Sequence, residues 1–290
     1  MTYFAPESIS DVLAAMAVDP ERSVVLGGGT IVEPMITSGE LSGYSVIGLW
    51  RAGLGAVECR GGETTFGATV RLSEVAAEMS VPALAEAAKL VGGPAVRNRA
   101  TIGGNVATGR GDLLVPLLAL DAHLTVSGSA GTEERALIDV LTDARARTAE
   151  PAPDPDRAIE WTGRLLTRIT VPKPKGRSAY VKIGRRRYNT PSVAAACAVG
   201  TFGRDGEEGV VTTMRVAIQG PSRFAQRAVH VEELLVGQPL TETAIDNAVD
   251  LLTELGDSYD DAVSSAWYRV RMSRVALRRA LLALKGGEPR

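Results

Sequence analysis

The spacing of apolar residues changes along the chain and predicts both helices and strands. Near the N-terminus Ile9, Val12, Leu13 and Met16 recur at helical spacing behind the capping-box pattern Ser8-Ile9-Ser10-Asp11. Short apolar runs predict strands at 23–26, 45–49, 56–60, 64–69, 165–171, 179–183, 193–199 and 210–218. Longer periodic stretches predict helices near 73–79, 82–91, 113–122, 228–235, 244–255 and 267–284. This mixture indicates an α+β protein.

The order of these elements divides the chain into three parts, 1–56, 57–174 and 175–290. The first is predicted to be a small α/β unit, and the second a sheet with helices around it. Residues 150–157, rich in Pro and Asp, are interpreted as an exposed loop, because the strand at 165–171 is still needed to complete that sheet. The arginine-rich last helix is predicted to present a solvated or subunit-facing surface. Its arginines are Arg269, Arg271, Arg274, Arg278 and Arg279.

Two glycine-rich turns stand out from this pattern, Leu26-Gly27-Gly28-Gly29-Thr30 and Thr101-Ile102-Gly103-Gly104-Asn105. Each adjoins an extended apolar stretch and has a Thr or Asn that could join a row of backbone N–H donors around an anion. Together they predict a pyrophosphate held from two sides. A glycine after a strand also commonly serves only to allow a positive φ, so that reading stays open. Neither turn matches the phosphate-binding P-loop or the G-x-G-x-x-G dinucleotide pattern.

Composition narrows the classes of protein that fit. The chain has 290 residues, 45% hydrophobic and 23% charged, which is ordinary for a globular protein. A net charge of −2 argues against binding to nucleic acid. No apolar run approaches the roughly eighteen residues of a membrane span, and the segment from Met1 to Pro6 lacks the pattern of a signal peptide. We therefore expect a cytoplasmic protein without a membrane span.

The cysteines and histidines are few and far apart. Cys59 and Cys197 are expected to be small buried residues of strands, and they are too few to hold an iron–sulfur cluster, which needs four thiolates. If this protein receives electrons from such a cluster, another subunit must hold the cluster. His123 and His230 have no partner ligands in view, so we expect neither to bind a metal or to be catalytic.

The second turn lies in the segment Ala95-Val96-Arg97-Asn98-Arg99-Ala100-Thr101-Ile102-Gly103-Gly104-Asn105-Val106-Ala107. This segment resembles the corresponding stretch of the FAD-binding subunit of molybdenum hydroxylases, the family of carbon monoxide dehydrogenase and xanthine dehydrogenase. The similarity keeps its order over nearly the whole chain. It continues at Asp112 to Ala122, Tyr180 to Lys182, Arg185 to Arg186, Arg223 to Gly237 and Trp267 to Arg269.

The resemblance implies a two-part FAD-binding domain of the PCMH type, like that of vanillyl-alcohol oxidase, followed by an α+β C-terminal domain with an antiparallel sheet and helices. It implies FAD in this chain, [2Fe-2S] clusters in a small partner subunit and a molybdenum cofactor in a large one, with the complex a dimer of heterotrimers. The chain would pass electrons from the clusters to an external acceptor and contain no catalytic residue of its own. The cofactor contacts that the resemblance implies are Val25, Leu26, Gly27, Gly28, Gly29, Thr30, Ile31, Val32, Thr101, Ile102, Gly103, Gly104, Asn105, Asp112, Leu166 and Lys182.

The last three of these residues have alternative interpretations. Asp112 could instead cap the helix predicted at 113–122. The stretch between Asn105 and Asp112 is also shorter than in the family, which leaves the distance of Asp112 from the cofactor open. Leu166 forms an apolar wall beside the flavin or is ordinary sheet core. Lys182 tunes the flavin by its positive charge or is a surface lysine.

The expected substrate and electron acceptor are inferred from two further comparisons with members of the family. Thr30 stands where carbon monoxide enzymes typically have His, which favours an organic substrate such as an N-heteroaromatic compound, a purine or an aldehyde over carbon monoxide. In relatives that reduce NAD, the loop at 187–191 lies beside the flavin ring, and Asn189 occupies a position where many relatives have an acid. This change and the stiff Pro191 disfavour NAD, so we expect a quinone, a small redox protein or oxygen as acceptor.

Two alternatives belong to other classes of protein. One is a stand-alone flavin reductase of the same fold, such as the reductase of cell-wall precursor synthesis, which would need a proton-donating Ser, Cys or Glu beside the ring. The other is a non-enzymatic nucleotide-binding protein whose loops hold a different phosphate.

Overall fold

The computed structural model describes residues 1–147, 159, 161–186, 189–203, 209–254 and 258–286. The loop predicted at 150–157 lies outside them. The strands form three sheets, one for each part of the chain.

The first sheet is small and parallel. It contains β1 (Thr2–Phe4), β2 (Ser23–Leu26) and β3 (Ser45–Gly48) in the order β1-β3-β2. Helix α1 (Ile9–Val18) begins as predicted at Ser8, whose hydroxyl accepts the N–H of Asp11 at 3.1 Å. A 3₁₀ turn (Pro20–Arg22) leads into β2, and α2 (Val32–Ser38) follows β2 after the first glycine turn. The sequence pattern predicted neither β1 nor α2, because both are short.

The second sheet is antiparallel, with strand order β4-β5-β8-β6-β7. Its strands are β4 (Val57–Arg60), β5 (Glu63–Gly67), β6 (His123–Gly128), β7 (Gly131–Ala136) and β8 (Arg164–Pro172). The helices around it are α3 (Leu72–Val75), α4 (Pro82–Lys89), α5 (Pro94–Arg97), α6 (Ile102–Ala107), α7 (Leu114–Ala119) and α8 (Leu137–Arg147). The edge strand β4 is exposed along its length, so the expectation that Cys59 is buried is wrong.

The third sheet is also antiparallel, with strand order β12-β11-β10-β9. Its strands are β9 (Arg177–Gly184), β10 (Ser192–Phe202), β11 (Val211–Gln219) and β12 (Gln226–Arg227). The helices that follow are α9 (Val229–Leu235), α10 (Glu242–Asp250), a 3₁₀ turn (Leu251–Glu254) and α11 (Ala266–Gly286). The observed elements match the predicted α+β class.

The third sheet is sandwiched between two hydrophobic cores. Side chains alternate between the faces of a strand. On one face Tyr180, Ala195 and Cys197 join the core of the second part. On the other face Ala196, Ala198 and their neighbours pack against α9, α10 and α11. The third part is therefore joined to the second through a buried face, and Cys197 is buried there as expected.

The arginine-rich helix is only partly the surface that the sequence predicted. Arg269 is 3% exposed and donates to the carbonyl of Val193 at 3.2 Å and to Asp261 at 2.7 Å. The prediction of a solvated or subunit-facing position is wrong for this residue, because its guanidinium ties α11 to β10. Arg278 instead stays near the surface and pairs with Asp246 of α10.

Two structural features are absent from the described ranges. Among these residues, no helix is both long enough and apolar enough to cross a bilayer. Within the same ranges, His, Cys, Asp and Glu side chains form no group that could hold a metal ion.

Candidate cofactor site

The first glycine turn joins the end of β2 to the start of α2. Gly29 has φ +75°, a left-handed conformation that favours glycine. Among the described contacts, the backbone N–H groups from Gly27 to Ile31 have no protein acceptor, while the carbonyl of Gly29 accepts the N–H of Glu33 at 3.0 Å. Consecutive unpaired N–H groups just before a helix are suited to bind an anion.

The two glycine turns lie against each other. A Cβ added at Gly27 would lie 2.9 Å from the hydroxyl oxygen of Thr101. A Cβ added at Gly28 would overlap the carbonyl oxygen of Arg99 and would lie 2.8 Å from the Cα of Ala100. The structure therefore brings together the two segments that the sequence predicts to share a ligand, and the absence of side chains at 27 and 28 allows that approach.

The second turn is the first turn of helix α6, with Thr101 as its N-cap. The N–H groups of Ile102 and Gly103 donate to the carbonyls of Val70 and Ala68, both at 2.9 Å. Those of Gly104 and Asn105 donate to the hydroxyl and carbonyl oxygens of Thr101, at 3.1 and 3.0 Å. The prediction that these four N–H groups point to an anion is therefore wrong, because each already has a protein acceptor.

The two glycines of this turn differ in their surroundings. A Cβ added at Gly103 would lie 2.6 Å from the carbonyl oxygen of Ala68, which belongs to the backbone. One added at Gly104 would meet only the hydroxyl of Thr101, at 3.0 Å, and Gly104 is exposed. Neither glycine has a positive φ. Gly103 is needed for packing, whereas Gly104 leaves the surface open in front of the turn.

Asn105 connects this turn to Asp112. The Asn105 amide oxygen accepts the N–H of Leu113 at 3.1 Å. The shortened stretch between Asn105 and Asp112 thus folds back so that its two ends meet. The start of α7 is held by Asn105 and not by Asp112, so the alternative that Asp112 caps this helix is wrong.

Asp112 belongs to a mostly buried polar cluster with Lys182 and Ser192. The Lys182 ammonium donates to one carboxylate oxygen of Asp112 at 2.5 Å and to the carbonyl of Leu90 at 3.1 Å. The Ser192 hydroxyl donates to the other carboxylate oxygen at 2.6 Å. The side chain of Lys182 is 4% exposed, which excludes the surface-lysine alternative. Its charge is compensated by Asp112 rather than free.

Ser192 and Tyr180 are not among the residues that the sequence predicts for the site. Tyr180 and Lys182 point to the same face of β9, because they are two residues apart. Burial raises the pKa of Tyr180 well above its usual range, and the nearby charge of Asp112 raises this pKa further, so the phenol stays neutral. Ser192 is the first residue of β10 and follows a loop, a position that gives no signal in the sequence.

Leu166 lies in the main core, 6% exposed, opposite Val126 in the sheet. This agrees with the ordinary-core interpretation, and its contact with a cofactor stays a prediction. Trp161, which precedes β8, donates from its ring N–H to the carbonyl of Ala107 at 3.1 Å and so ties the segment before β8 to the end of α6. In the loop before β10, Asn189 has φ +52°, and Arg187 and Tyr188 lie outside the described residues.

Two family models together match almost the whole chain. The model of the FAD binding domain in molybdopterin dehydrogenase matches residues 1–174. The model of the CO dehydrogenase flavoprotein C-terminal domain matches residues 178–284.

Individual proteins resemble the chain over the same length. The carbon monoxide dehydrogenase medium chain of Afipia carboxidovorans is 27% identical, covering 96% of this chain and 94% of the relative. The alpha subunit of the 6-hydroxypseudooxynicotine dehydrogenase complex of Paenarthrobacter nicotinovorans is 24% identical, covering 96% and 92%. Reconstituted CO dehydrogenase from Oligotropha carboxidovorans superimposes with a TM-score of 0.87 at 27% identity, covering 99% of this chain and 98% of that one. Sequence and fold therefore point to the same group of proteins.

Proposed function

Because this chain belongs to the family of FAD-binding domains of molybdopterin dehydrogenases, we propose that it is the flavin subunit of a molybdenum hydroxylase complex. It is a component of an oxidoreductase and binds FAD. Bound FAD supplies the redox chemistry, and the protein supplies binding, orientation and electrostatics. Electrons arrive from the iron–sulfur clusters of a partner and leave to an external acceptor.

The observation that supports this function most directly is the row of N–H groups from Gly27 to Ile31, which no described residue pairs. We assign the pyrophosphate of FAD to this turn, because a diphosphate satisfies several adjacent donors at once. The second turn would then support the first through the contacts of Thr101 and Arg99 with Gly27 and Gly28. The exposed surface at Gly104 leaves room for the cofactor on the same side.

The cluster of Asp112, Lys182 and Ser192 is assigned to the flavin end of the site. The Lys182 ammonium and the Asp112 carboxylate compensate each other's charge, and the Ser192 hydroxyl donates a hydrogen bond to the second carboxylate oxygen of Asp112. A compensated pair holds a defined hydrogen-bonding pattern without a net charge. Leu166 remains proposed as the apolar wall. No residue of this chain is assigned a step in substrate oxidation.

The partners we propose are a small subunit with [2Fe-2S] clusters and a large subunit with the molybdenum cofactor, assembled as a dimer of heterotrimers in the cytoplasm. The relatives support the proposal that this chain has partner subunits, since one relative is a medium chain and another is a subunit of a complex. The two cysteines of this chain also cannot hold a cluster alone. Within the chain, we keep the division into 1–56, 57–174 and 175–290, supported by one sheet in each part.

The substrate we propose is organic, on the basis of Thr30, with carbon monoxide as the alternative. The relatives include both kinds, a carbon monoxide dehydrogenase and a 6-hydroxypseudooxynicotine dehydrogenase. We propose an acceptor other than NAD on the basis of Asn189 and Pro191. Assays of the assembled complex test both proposals: substrate-dependent NADH formation as fast as dye reduction would refute the acceptor proposal and leave the FAD assignment intact.

Titration of the purified full chain with FAD tests the central proposal. We expect a yellow protein that takes up FAD but not FMN, because the first turn is assigned to the pyrophosphate. A colourless chain that takes up no FAD would refute the assignment. Co-expression with the partner subunits should yield a complex that contains molybdenum, iron and FAD. Substrate hydroxylation by the isolated chain would instead favour the stand-alone flavoenzyme.

A further inference from the structure

A carboxylate lies directly beside the turn assigned to the pyrophosphate. Glu33 is in the first turn of α2, and a Cβ added at Gly29 would lie 2.7 Å from its Oε1 and 2.8 Å from its Cδ. Gly29 is in the middle of the segment whose N–H groups have no acceptor among the described residues. A negative charge at this place opposes the binding of an anion by the same groups.

Arg99 compensates that charge from the second segment. Its guanidinium forms an ion pair with Oε1 of Glu33, and both side chains are about half exposed, at 57% and 47%. The backbone carbonyl of Arg99 is the atom that a Cβ at Gly28 would overlap. Arg99 thus borders the turn on two sides, with its main chain at Gly28 and its side chain near Gly29.

From this arrangement we propose that Arg99 and Glu33 are an opposed pair of charges that sets the affinity of the turn for the diphosphate of FAD. Arg99 neutralises Glu33 in the absence of the cofactor and contributes its positive charge to the diphosphate when FAD is bound. Glu33 limits this attraction, so that binding is weaker than the turn alone would allow. The inference rests on the proposed FAD site at this turn.

The pair differs in this respect from a plain surface ion pair. A plain surface ion pair contributes little to the free energy of unfolding, and removal of either partner changes that free energy by a small amount in the same direction. Charges that flank an anion site act on its ligand with opposite signs. The two single variants Glu33→Gln and Arg99→Gln therefore distinguish a plain surface ion pair from a pair of charges that flanks the anion site.

The experiment measures the dissociation constant of FAD from the full-length chain, freed of cofactor, by quenching of flavin fluorescence. We expect Glu33→Gln to bind FAD a few-fold more tightly than the unmodified chain and Arg99→Gln to bind it several-fold more weakly. The double variant should lie between them, and Arg99→Lys should recover part of the loss. The difference between the single variants should narrow as salt is raised, because the charges are partly exposed.

The control is another ion pair of similar exposure, Arg278 with Asp246, at 41% and 55%. It joins α11 to α10, and Arg278→Gln and Asp246→Asn should leave FAD affinity unchanged. If Glu33→Gln and Arg99→Gln fail to move the affinity in opposite directions, the inference is refuted and the pair is only a link between the two segments. Absence of FAD binding by the unmodified chain is a different result, which would refute the proposed function itself.

Discussion

The two glycine turns have similar sequences but use their glycines differently. In the first turn, the N–H groups from Gly27 to Ile31 have no acceptor in the part of the chain that the structure describes. In the second turn, the N–H groups from Ile102 to Asn105 donate hydrogen bonds to oxygens of Val70, Ala68 and Thr101. The first turn can therefore bind an anion with its backbone N–H groups, while these four N–H groups of the second turn cannot. Contact of the second turn with the cofactor through its other atoms stays a prediction.

This difference shows that a glycine-rich motif is not by itself evidence of ligand contact. Gly28 and Gly103 each lie so close to another backbone carbonyl that any side chain would collide with it. These glycines are required by packing whether or not a cofactor binds. A substitution at a glycine that leaves the packing intact separates the effect on the ligand from the effect on packing.

The largest effect is expected for Gly28→Val. Its side chain would overlap the carbonyl of Arg99, so the two turns would have to separate. We expect a loss of about 3 kcal/mol in the free energy of unfolding and loss of bound FAD. Denaturant unfolding and the flavin-to-protein absorbance ratio measure the two effects. Gly93→Ala is the control, since a Cβ there meets nothing within 4 Å. Normal FAD content in Gly28→Val would show that the two turns need not touch.

A smaller effect is expected for Gly103→Ala in the second turn. The added methyl would lie 2.6 Å from the carbonyl oxygen of Ala68, so α6 must shift away from the segment after β5. We expect a cost of about 1–3 kcal/mol in stability. FAD affinity, measured well below the melting temperature, should change less than for Gly28→Val. An affinity loss equal to that of Gly28→Val would show that both turns bind the ligand directly.

Gly104→Ala should separate packing from binding. Gly104 is exposed, and only the hydroxyl of Thr101 would have to adjust. The free energy of unfolding should change by less than about 1 kcal/mol. FAD affinity should fall several-fold, because the methyl group enters the space in front of the turn. Unchanged affinity in a titration with FAD would mean that the cofactor does not approach the second turn.

The smallest loss of bound FAD is expected for Ser192→Ala. Loss of the hydroxyl removes one hydrogen bond to Asp112 and should cost about 1 kcal/mol in stability. The carboxylate would then be less compensated, and its negative charge should make the reduction potential of bound FAD more negative. Ser192→Thr retains the donor and is the control. A spectroelectrochemical titration that gives equal potentials for Ser192→Ala and the unmodified protein would place this cluster away from the flavin.

By itself the sequence determined the elements whose signals lie within a few residues. The apolar run of β10, the helical spacing of apolar residues in α11 and the cap at Ser8 all depend on near neighbours along the chain. The family, and with it FAD, followed from motifs of the same local kind. Short elements such as α2 gave no such signal.

Only the tertiary structure decided which polar groups are free and which are paired. Asp112 finds Lys182 at a distance of 70 residues along the chain and Ser192 at 80. Arg269 reaches the carbonyl of Val193 from 76 residues away. The acceptors that occupy the N–H groups of Ile102 and Gly103 come from the segment after β5. Sheet register and the packing of distant segments determine these partners, and neither is encoded in the local spacing of residues.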